Sequence, residues 1–217
     1  MYDRHVPRLI DHDERDRQIG DAAWRVLTRD GLVAFSVRNV AEEAGIATAS
    51  LRRAYPTQDA LRVACLRRAA ARVQERMDAV FADPSLPAPE VDPLPLVTRC
   101  LEQLLPLDDE RRTETEVFLT LGSVALTDDG VRAAWDEADR AVRSACASLL
   151  ALLTPPGTAG GAGAAAVDER RVARLHALLD GLALHLAHRP RRDDAGWARE
   201  LLVEELTRLR AEAGRTR

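Results

Sequence analysis

Lysine is absent from this chain of 217 residues, and all 31 of its basic residues are arginine. The codon usage of a GC-rich genome is enough to explain that bias, although guanidinium forks also suit phosphate and guanine. Acidic residues outnumber the arginines, and the net charge is −4. A diffuse affinity for nucleic acid is thereby excluded. Any such affinity has to come from a local cluster, because only cations close to phosphates release counterions. Aromatic residues make up just 4%, so the apolar mass is leucine, alanine and valine. The cysteines, Cys65, Cys100 and Cys146, are odd in number and widely spaced, which suggests neither a disulfide framework nor a zinc site. No apolar run approaches the length of a membrane span, so no membrane partner is expected. No glycine-rich phosphate loop, nucleophile elbow or cluster of metal ligands is present. These absences argue against an enzyme, and no cofactor and no metal are expected. The opening residues MYDRHVPRLIDHDERD hold no apolar core segment, so no signal peptide is expected, and the location expected is cytoplasmic.

Strand signals are equally scarce, with little two-residue alternation and no Asn-Gly turn. What is there is a three-to-four-residue period in a chain that is 46% hydrophobic and 30% charged, rich in the strong helix formers Ala, Leu, Glu and Arg. An all-α fold is expected. The first helix is predicted over 13–30, where Ile19, Ala22, Ala23, Val26 and Leu27 share one face and Gly31 offers a left-handed cap. Ser36 caps a second helix carrying Val37, Val40, Ala41 and Ala44, which ends at Gly45. A third runs from Thr48 to Tyr55 and stops before Pro56. A fourth starts at the Thr57 cap, with Asp59 in its first turn, and carries Leu61, Cys65, Ala69, Val73, Met77, Val80 and Phe81 along one side. Prolines at 84, 87, 89, 93 and 95 make Asp83–Pro95 a loop. Further helices are expected near 96–105, 110–126, 128–153 (with Asp128 as N-cap), 168–188 and 193–212. Asp108, Asp109, Glu110, Arg111 and Arg112 read as a solvated helix start. Thr154–Val167 reads as a flexible connection, and Pro190 separates the last two helices.

One stretch stands out. Residues 36–55, SVRNVAEEAGIATASLRRAY, place a short amphipathic helix, a tight turn at Gly45 and a second short helix in succession, the layout of a helix-turn-helix. The second helix of that motif enters the major groove of duplex DNA. The chain here resembles the TetR family of transcriptional regulators. Gln18, Ile19, Ala22, Ala23 and Gly31 match its opening helix, SVRNVAEEAGI its second helix and turn, and ATASLRRAYPTQDAL its recognition helix and the entry to helix four. More weakly, LHALLDGLALHLAHRP (175–190) resembles the eighth helix of regulators grouped with the choline-responsive repressor.

The resemblance implies a three-helix DNA-binding domain over 1–56 and a helical ligand-binding and dimerisation domain over 57–217. The protein implied is a homodimeric regulator, by likeness a repressor, that binds a palindromic operator on double-stranded DNA and is released by a small molecule. An activator with the same DNA-binding domain, or a helical protein-interaction module, is the alternative. By chemistry and position, Ser36 and Arg38 are expected at phosphates. Thr48, Ala49 and Ser50 are expected at base edges, with Thr48 the first candidate. Arg52 and Arg53 are expected at phosphate or guanine. Tyr55 is expected to turn inward over a small core of Val40, Ala44 and Leu51. Three positions depart from the family pattern. Ala47 stands where Ser or Thr usually caps the third helix, which gives Thr48 a possible capping duty. Arg52 replaces a common phosphate-binding tyrosine, and Gln58, a further expected DNA contact, replaces a frequent lysine. Helix four adds Arg62, Arg67, Arg68, Arg72 and Arg76 to the local charge. Arg4 and Arg8 are either an arm for the minor groove or a disordered tail.

In the C-terminal part, Leu175, Leu179, Leu182 and Leu186 on one helix, with Leu201, Leu202, Leu206 and Leu209 on the next, are expected to form a four-helix dimer interface. Such a dimer would present two recognition helices about 34–36 Å apart. A ligand pocket is expected from Phe81, Leu104, Phe118, Leu121, Gly122, Trp135 and His176, all of which also suit plain core positions. Helix four, joining the two domains, is the natural coupling element. His185 and His188 are expected at the surface or an interface.

Overall fold

Side-chain caps set most of the helix starts in this protein, and they fall where the sequence places them. The computed structural model describes residues 12–154, 168–190 and 193–215. The arm at Arg4 and Arg8 and the connection over 155–167 lie outside them. Among the described residues there are nine α-helices, a single 3₁₀ turn and no strand. The chain divides between Arg68 and Ala69 into two compact units.

The first unit begins with α1 (His12–Ala34). Gly31 breaks it with φ 72 and ψ −178, a conformation essentially reserved for glycine. Helix α2 (Val37–Glu43) starts where the Ser36 hydroxyl accepts from the Asn39 N–H at 3.2 Å. The chain then turns at Gly45, φ 67, into α3 (Thr48–Ala54). Helix α4 (Gln58–Phe81) starts where the Thr57 hydroxyl accepts from the Ala60 N–H at 3.1 Å. Ile19, Ala22, Ala23, Val26 and Leu27 are buried as a stripe along α1, with Phe35, Val40, Ala41, Leu51, Leu61 and Cys65 buried on the elements that follow. Ala44, expected in this core, is only half-buried, and Ala41 takes the inward position beside Val40. A seven-residue helix touches its neighbour over one turn, so adjacent residues face the core in place of an i, i+4 pair.

In the second unit, α5 (Leu94–Leu101) runs into the 3₁₀ turn Glu102–Leu104. Then come α6 (Asp109–Ala125), α7 (Asp129–Leu152), α8 (Glu169–His188) and α9 (Gly196–Arg215). Asp108 and Asp128 cap α6 and α7 by accepting from the N–H groups of Arg111 at 2.8 Å and Val131 at 3.0 Å. Helix α5 starts earlier than expected, inside the proline-rich stretch, because Pro95 lies in its first turn, where a missing N–H leaves no bond unmade. Leu101, Leu105, Leu150, Leu175, Leu202 and Leu206 meet in a core shared by α5, α7, α8 and α9. Truncating one such leucine to alanine costs about 2–5 kcal/mol.

The expected solvated start of α6 holds for Asp108, Asp109 and Glu110 but not for Arg112, which is 8% exposed. Its guanidinium donates to the carbonyls of Leu186, at 2.8 Å, Ala187, at 3.0 Å, and Arg189. These carbonyls lie at the end of α8, and a cation is well placed against the negative end of a helix.

The three thiols are buried and unpaired. Burial pushes Cys65 and Cys146 up to about 12 and Cys100 up to about 11. Because the thiolate is the reactive form, all three are expected to resist iodoacetamide at pH 8 in the folded protein and to react together once it is denatured. Mass spectrometry of the two reactions checks this. Early labelling of one cysteine would show that its helix opens. The raised values also mean that the thiols contribute stability below their ordinary pKa of 9.0, which is lost as pH climbs from there toward 12.

Candidate functional site

The candidate site is the outer surface of α2 and α3. Leu51 holds α3 to the unit with 0% exposure, and Ala49, Arg52, Arg53 and Ala54 are exposed. Ala47, the N-cap of α3, makes no side-chain cap bond. Among the described residues Thr48 makes no cap bond in its place. Ser36 caps α2, and Arg38 is exposed just beyond it. The Tyr55 ring is half-buried, and its hydroxyl donates to Asp16 Oδ1 at 3.0 Å. Burial and that acceptor push the phenol up to about 12, so it is a neutral donor at neutral pH. Gln58 donates its side-chain amide to the Phe35 carbonyl, which ties the start of α4 to the turn before α2.

Charge sorts this unit more sharply than the sequence suggested. Glu43 accepts from both Arg25, at 2.6 Å, and Arg29, at 2.8 Å. Those two bonds, Arg25 first, hold its carboxyl below the ordinary range. Arg62 pairs with Asp59 and Arg68 with Asp21. In the second unit, Arg72 pairs with Glu110 and Arg76 with Glu114. Four of the five arginines expected to add free charge along helix four are thus held by carboxylates. In the first unit Arg15, Arg38, Arg52, Arg53 and Arg67 have no ion pair among the described residues; in the second, Arg132, Arg140, Arg170, Arg171 and Arg189 have none either, but none of those lies on the helix-turn-helix.

Arg15 and Asp16 were not singled out by the sequence reading. Arg15 Nη2 donates to the Ser50 hydroxyl at 3.0 Å. The signal was present, since Arg15 stands four residues before Ile19 and so continues the inward stripe of α1, where a polar side chain has to meet a neighbour.

The residues expected to line a ligand pocket do not form one cluster. Phe118 and Trp135 are stacked with ring centroids 5.5 Å apart. Gly122 lies under the indole, and a Cβ there would sit 2.8 Å from Trp135 Nε1. That buried N–H finds no hydrogen-bond partner among the described residues. Leu121 is buried. His176, also buried, has its Nε2 3.6 Å from Asp139 and 3.8 Å from Asp180. Leu104 packs half-buried against the main core, while Phe81 is 56% exposed. A separate cavity of about 260 Å³ is lined by none of these. It lies between the start of α6 and the end of α8, with Arg112, Leu186 and Asp193 in its wall.

The leucines expected at a dimer interface are mostly spoken for within the chain. Leu175, Leu179, Leu182, Leu186, Leu202, Leu206 and Leu209 are all buried in the core of the second unit, and of the eight only Leu201 is exposed, at 43%. The stripes are real, but they seal α8 and α9 to each other and to α5 and α7. Arg174 reinforces that contact by pairing with Glu205 and Glu212 of α9. The apolar residues that α8 and α9 turn outward are Leu184, Leu201 and Val203.

A helix-turn-helix with unpaired guanidinium groups on the open face of its second helix, followed by an all-helical body, defines a DNA-binding transcriptional regulator. Residues 19–65 match the family "Bacterial regulatory proteins, tetR family", and residues 93–211, more than half of the chain, match "BetI-type transcriptional repressor, C-terminal". The chain belongs to the TetR family of transcriptional regulators. It is 29% identical over 180 residues to the HTH-type transcriptional regulator PksA of Bacillus subtilis (strain 168), covering 83% of this chain and 82% of that one. Among solved structures, the multidrug binding protein EbrR, complexed with imidazole, is 30% identical with a TM-score of 0.57, over 90% of this chain and 94% of that one. A protein of Saccharomonospora viridis solved in complex with choline has the same fold, with 22% identity and a TM-score of 0.70 over 90% of this chain and 96% of that one. No helix among the described residues is long and apolar enough to cross a membrane.

Proposed function

We propose that this regulator is a homodimeric repressor, acting in the cytoplasm, that binds a palindromic operator through α3 and leaves it when a small organic molecule enters its helical body. The observation that carries the DNA-binding part is the exposed set Arg38, Arg52 and Arg53 on α2 and α3, which make no ion pair among the described residues. In a chain of net charge −4, cations left uncompensated on those two short helices supply the local field that phosphates require. In this reading Arg38 and Ser36 meet phosphates, Thr48, Ala49 and Ser50 face base edges, and Arg52 and Arg53 meet phosphate or guanine. Tyr55 and Gln58 border the contact while bracing it from behind. Residues 1–56 are the DNA-binding domain and 57–217 the domain for ligand and dimer. Selecting bound duplexes from a random pool tests it. A recovered palindrome supports the reading, and an absence of any enriched sequence overturns it.

The ligand is assigned to the region of Phe118, Leu121, Gly122, Trp135 and His176, with Leu104 and Phe81 further out. Support comes from the buried, unpartnered indole N–H of Trp135 and from the organic molecules bound by the relatives named above. A ligand acts as a switch only if it prefers one conformation of the dimer. For the dimer, the exposed Leu184 and Leu201, at 44% and 43%, are the apolar groups that α8 and α9 offer a second copy. Leu184→Glu together with Leu201→Glu is expected to yield monomers in sedimentation without loss of helical content. A dimer that survives both changes moves the interface elsewhere. Leu182 serves this test badly, because at 3% exposure a charge there attacks the core first.

A further inference from the structure

We infer that Arg15 of α1 and Ser50 of α3 together form one phosphate-binding unit at the flank of the recognition helix, and this rests on the assignment of α3 to the major groove. Three observations lead there. Arg15 is half-buried against α3 and has no ion pair among the described residues. The neighbouring carboxylate, Asp16, accepts from Tyr55 and not from Arg15. The one polar contact that Arg15 makes among the described residues, Nη2 to Ser50 Oγ at 3.0 Å, occupies a lone pair of the hydroxyl and leaves its hydrogen free to donate elsewhere.

A guanidinium with five donors, spending one on a hydroxyl that itself still has a donor, presents a convergent set of N–H and O–H groups and a net positive charge. Among the described residues nothing accepts from the remaining donors. The acceptor that complements such a set is an oxyanion, and beside a groove-reading helix the oxyanion at hand is a backbone phosphate. A base edge is a poorer match, because a hydroxyl held by the arginine is confined to the side of α3 that faces α1. Ser50 is thereby moved from the base-reading residues to the backbone-positioning ones, and α1 gains a DNA contact within its first described turn.

The test is a salt titration of operator binding by the full-length dimer with the Arg15→Ala, Arg15→Gln, Ser50→Ala and Arg15→Ala/Ser50→Ala variants. Arg15→Ala is expected to weaken all sequences equally and to flatten the slope of log K against log salt by about 0.9 per subunit. Arg15→Gln keeps an amide donor for Ser50 but loses the charge, and is expected to flatten the slope as much. Ser50→Ala is expected to lower affinity with little change of slope, and the double variant to lose less than the sum of the two singles. An unchanged slope in Arg15→Ala overturns the proposal. Full recovery of affinity and slope in Arg15→Gln also overturns it, leaving a structural brace between α1 and α3. A changed preference at a single base pair overturns it as well, making the pair a base reader. Thermal unfolding of each variant checks that the unit is folded, and Arg15→Gln, which removes the charge but keeps a donor for Ser50, carries the slope measurement if Arg15→Ala does not fold. If Arg52→Ala/Arg53→Ala leaves binding intact, the assignment of α3 has failed. If that variant loses binding while Arg15→Ala does not, this proposal alone has failed.

Discussion

Arg52→Ala combined with Arg53→Ala is expected to abolish operator binding at moderate salt while leaving the thermal midpoint unchanged. Both residues are exposed and make no ion pair among the described residues, so their loss removes no contact described within the unit. In a dimer, four guanidinium groups disappear from the DNA side. If all four meet phosphates, the slope of log K against log salt flattens by about 3.6. If one residue per half-site instead forks onto guanine, discrimination at that base pair falls by about 1–3 kcal/mol, and a second round of sequence selection shows a degenerate position. Electrophoretic mobility shifts at several salt concentrations separate the two outcomes. Affinity and slope equal to those of the wild type would mean that α3 does not face the duplex.

The second large effect is expected from Glu114. This residue of α6 is 5% exposed, and its carboxylate forms a two-pronged pair with Arg76, with contacts of 2.8 and 2.5 Å. Arg72 stands 3.9 Å from the same carboxylate. Paired forks of this kind are strong because both oxygens and both amino groups are satisfied in one plane. Glu114→Ala removes the carboxylate from Arg76, while Arg72 keeps Glu110 at 3.0 Å. Breaking a fully buried pair costs about 3–5 kcal/mol. Both arginine side chains retain roughly a quarter of their exposure, 23% and 24%, and solvent softens the loss to about 2–3 kcal/mol. For a chain of this size that lowers the melting temperature by roughly 5–10 °C. The joint replacement Arg76→Leu with Glu114→Leu is expected to recover much of it, since no charge is then stranded. Thermal unfolding followed by circular dichroism gives both values. A drop of under about 1 kcal/mol for Glu114→Ala would place the pair with ordinary surface ion pairs.

The helices themselves were legible because their starts carry local signals. Ser36, Thr57 and Asp128 each cap the helix predicted to follow, and a cap needs only neighbours three residues away. Gly31 and Gly45 could be placed for the same reason, as glycine alone tolerates a positive φ without penalty. Which face of a helix meets which partner was less legible. The stripe from Leu175 to Leu186 announced burial correctly, but periodicity does not say whether the covering surface belongs to the same chain or to another. The helices α5, α7 and α9 turned out to cover it. The same gap explains Arg112, whose polarity suggested solvent while its position brought it to the carbonyl end of a helix more than seventy residues away. At the candidate site, residue types and spacing identified α3, whereas some of the ion pairs that neutralise arginines there join residues far apart in sequence, 18 for Arg25 with Glu43 and 47 for Arg68 with Asp21.

The scarcity of aromatic residues has an optical consequence once their places are known. Of the three tryptophans, Trp24 is buried on α1 at 6% exposure, Trp135 lies against Phe118 in the second unit, and Trp197 has the Arg189 guanidinium 4.6 Å over its ring. The three rings have different neighbours, so their emission maxima are expected to differ. With Trp135 and Trp197 changed to phenylalanine, the remaining fluorescence comes from the DNA-binding half alone, and melting of that half can be followed without interference from the other.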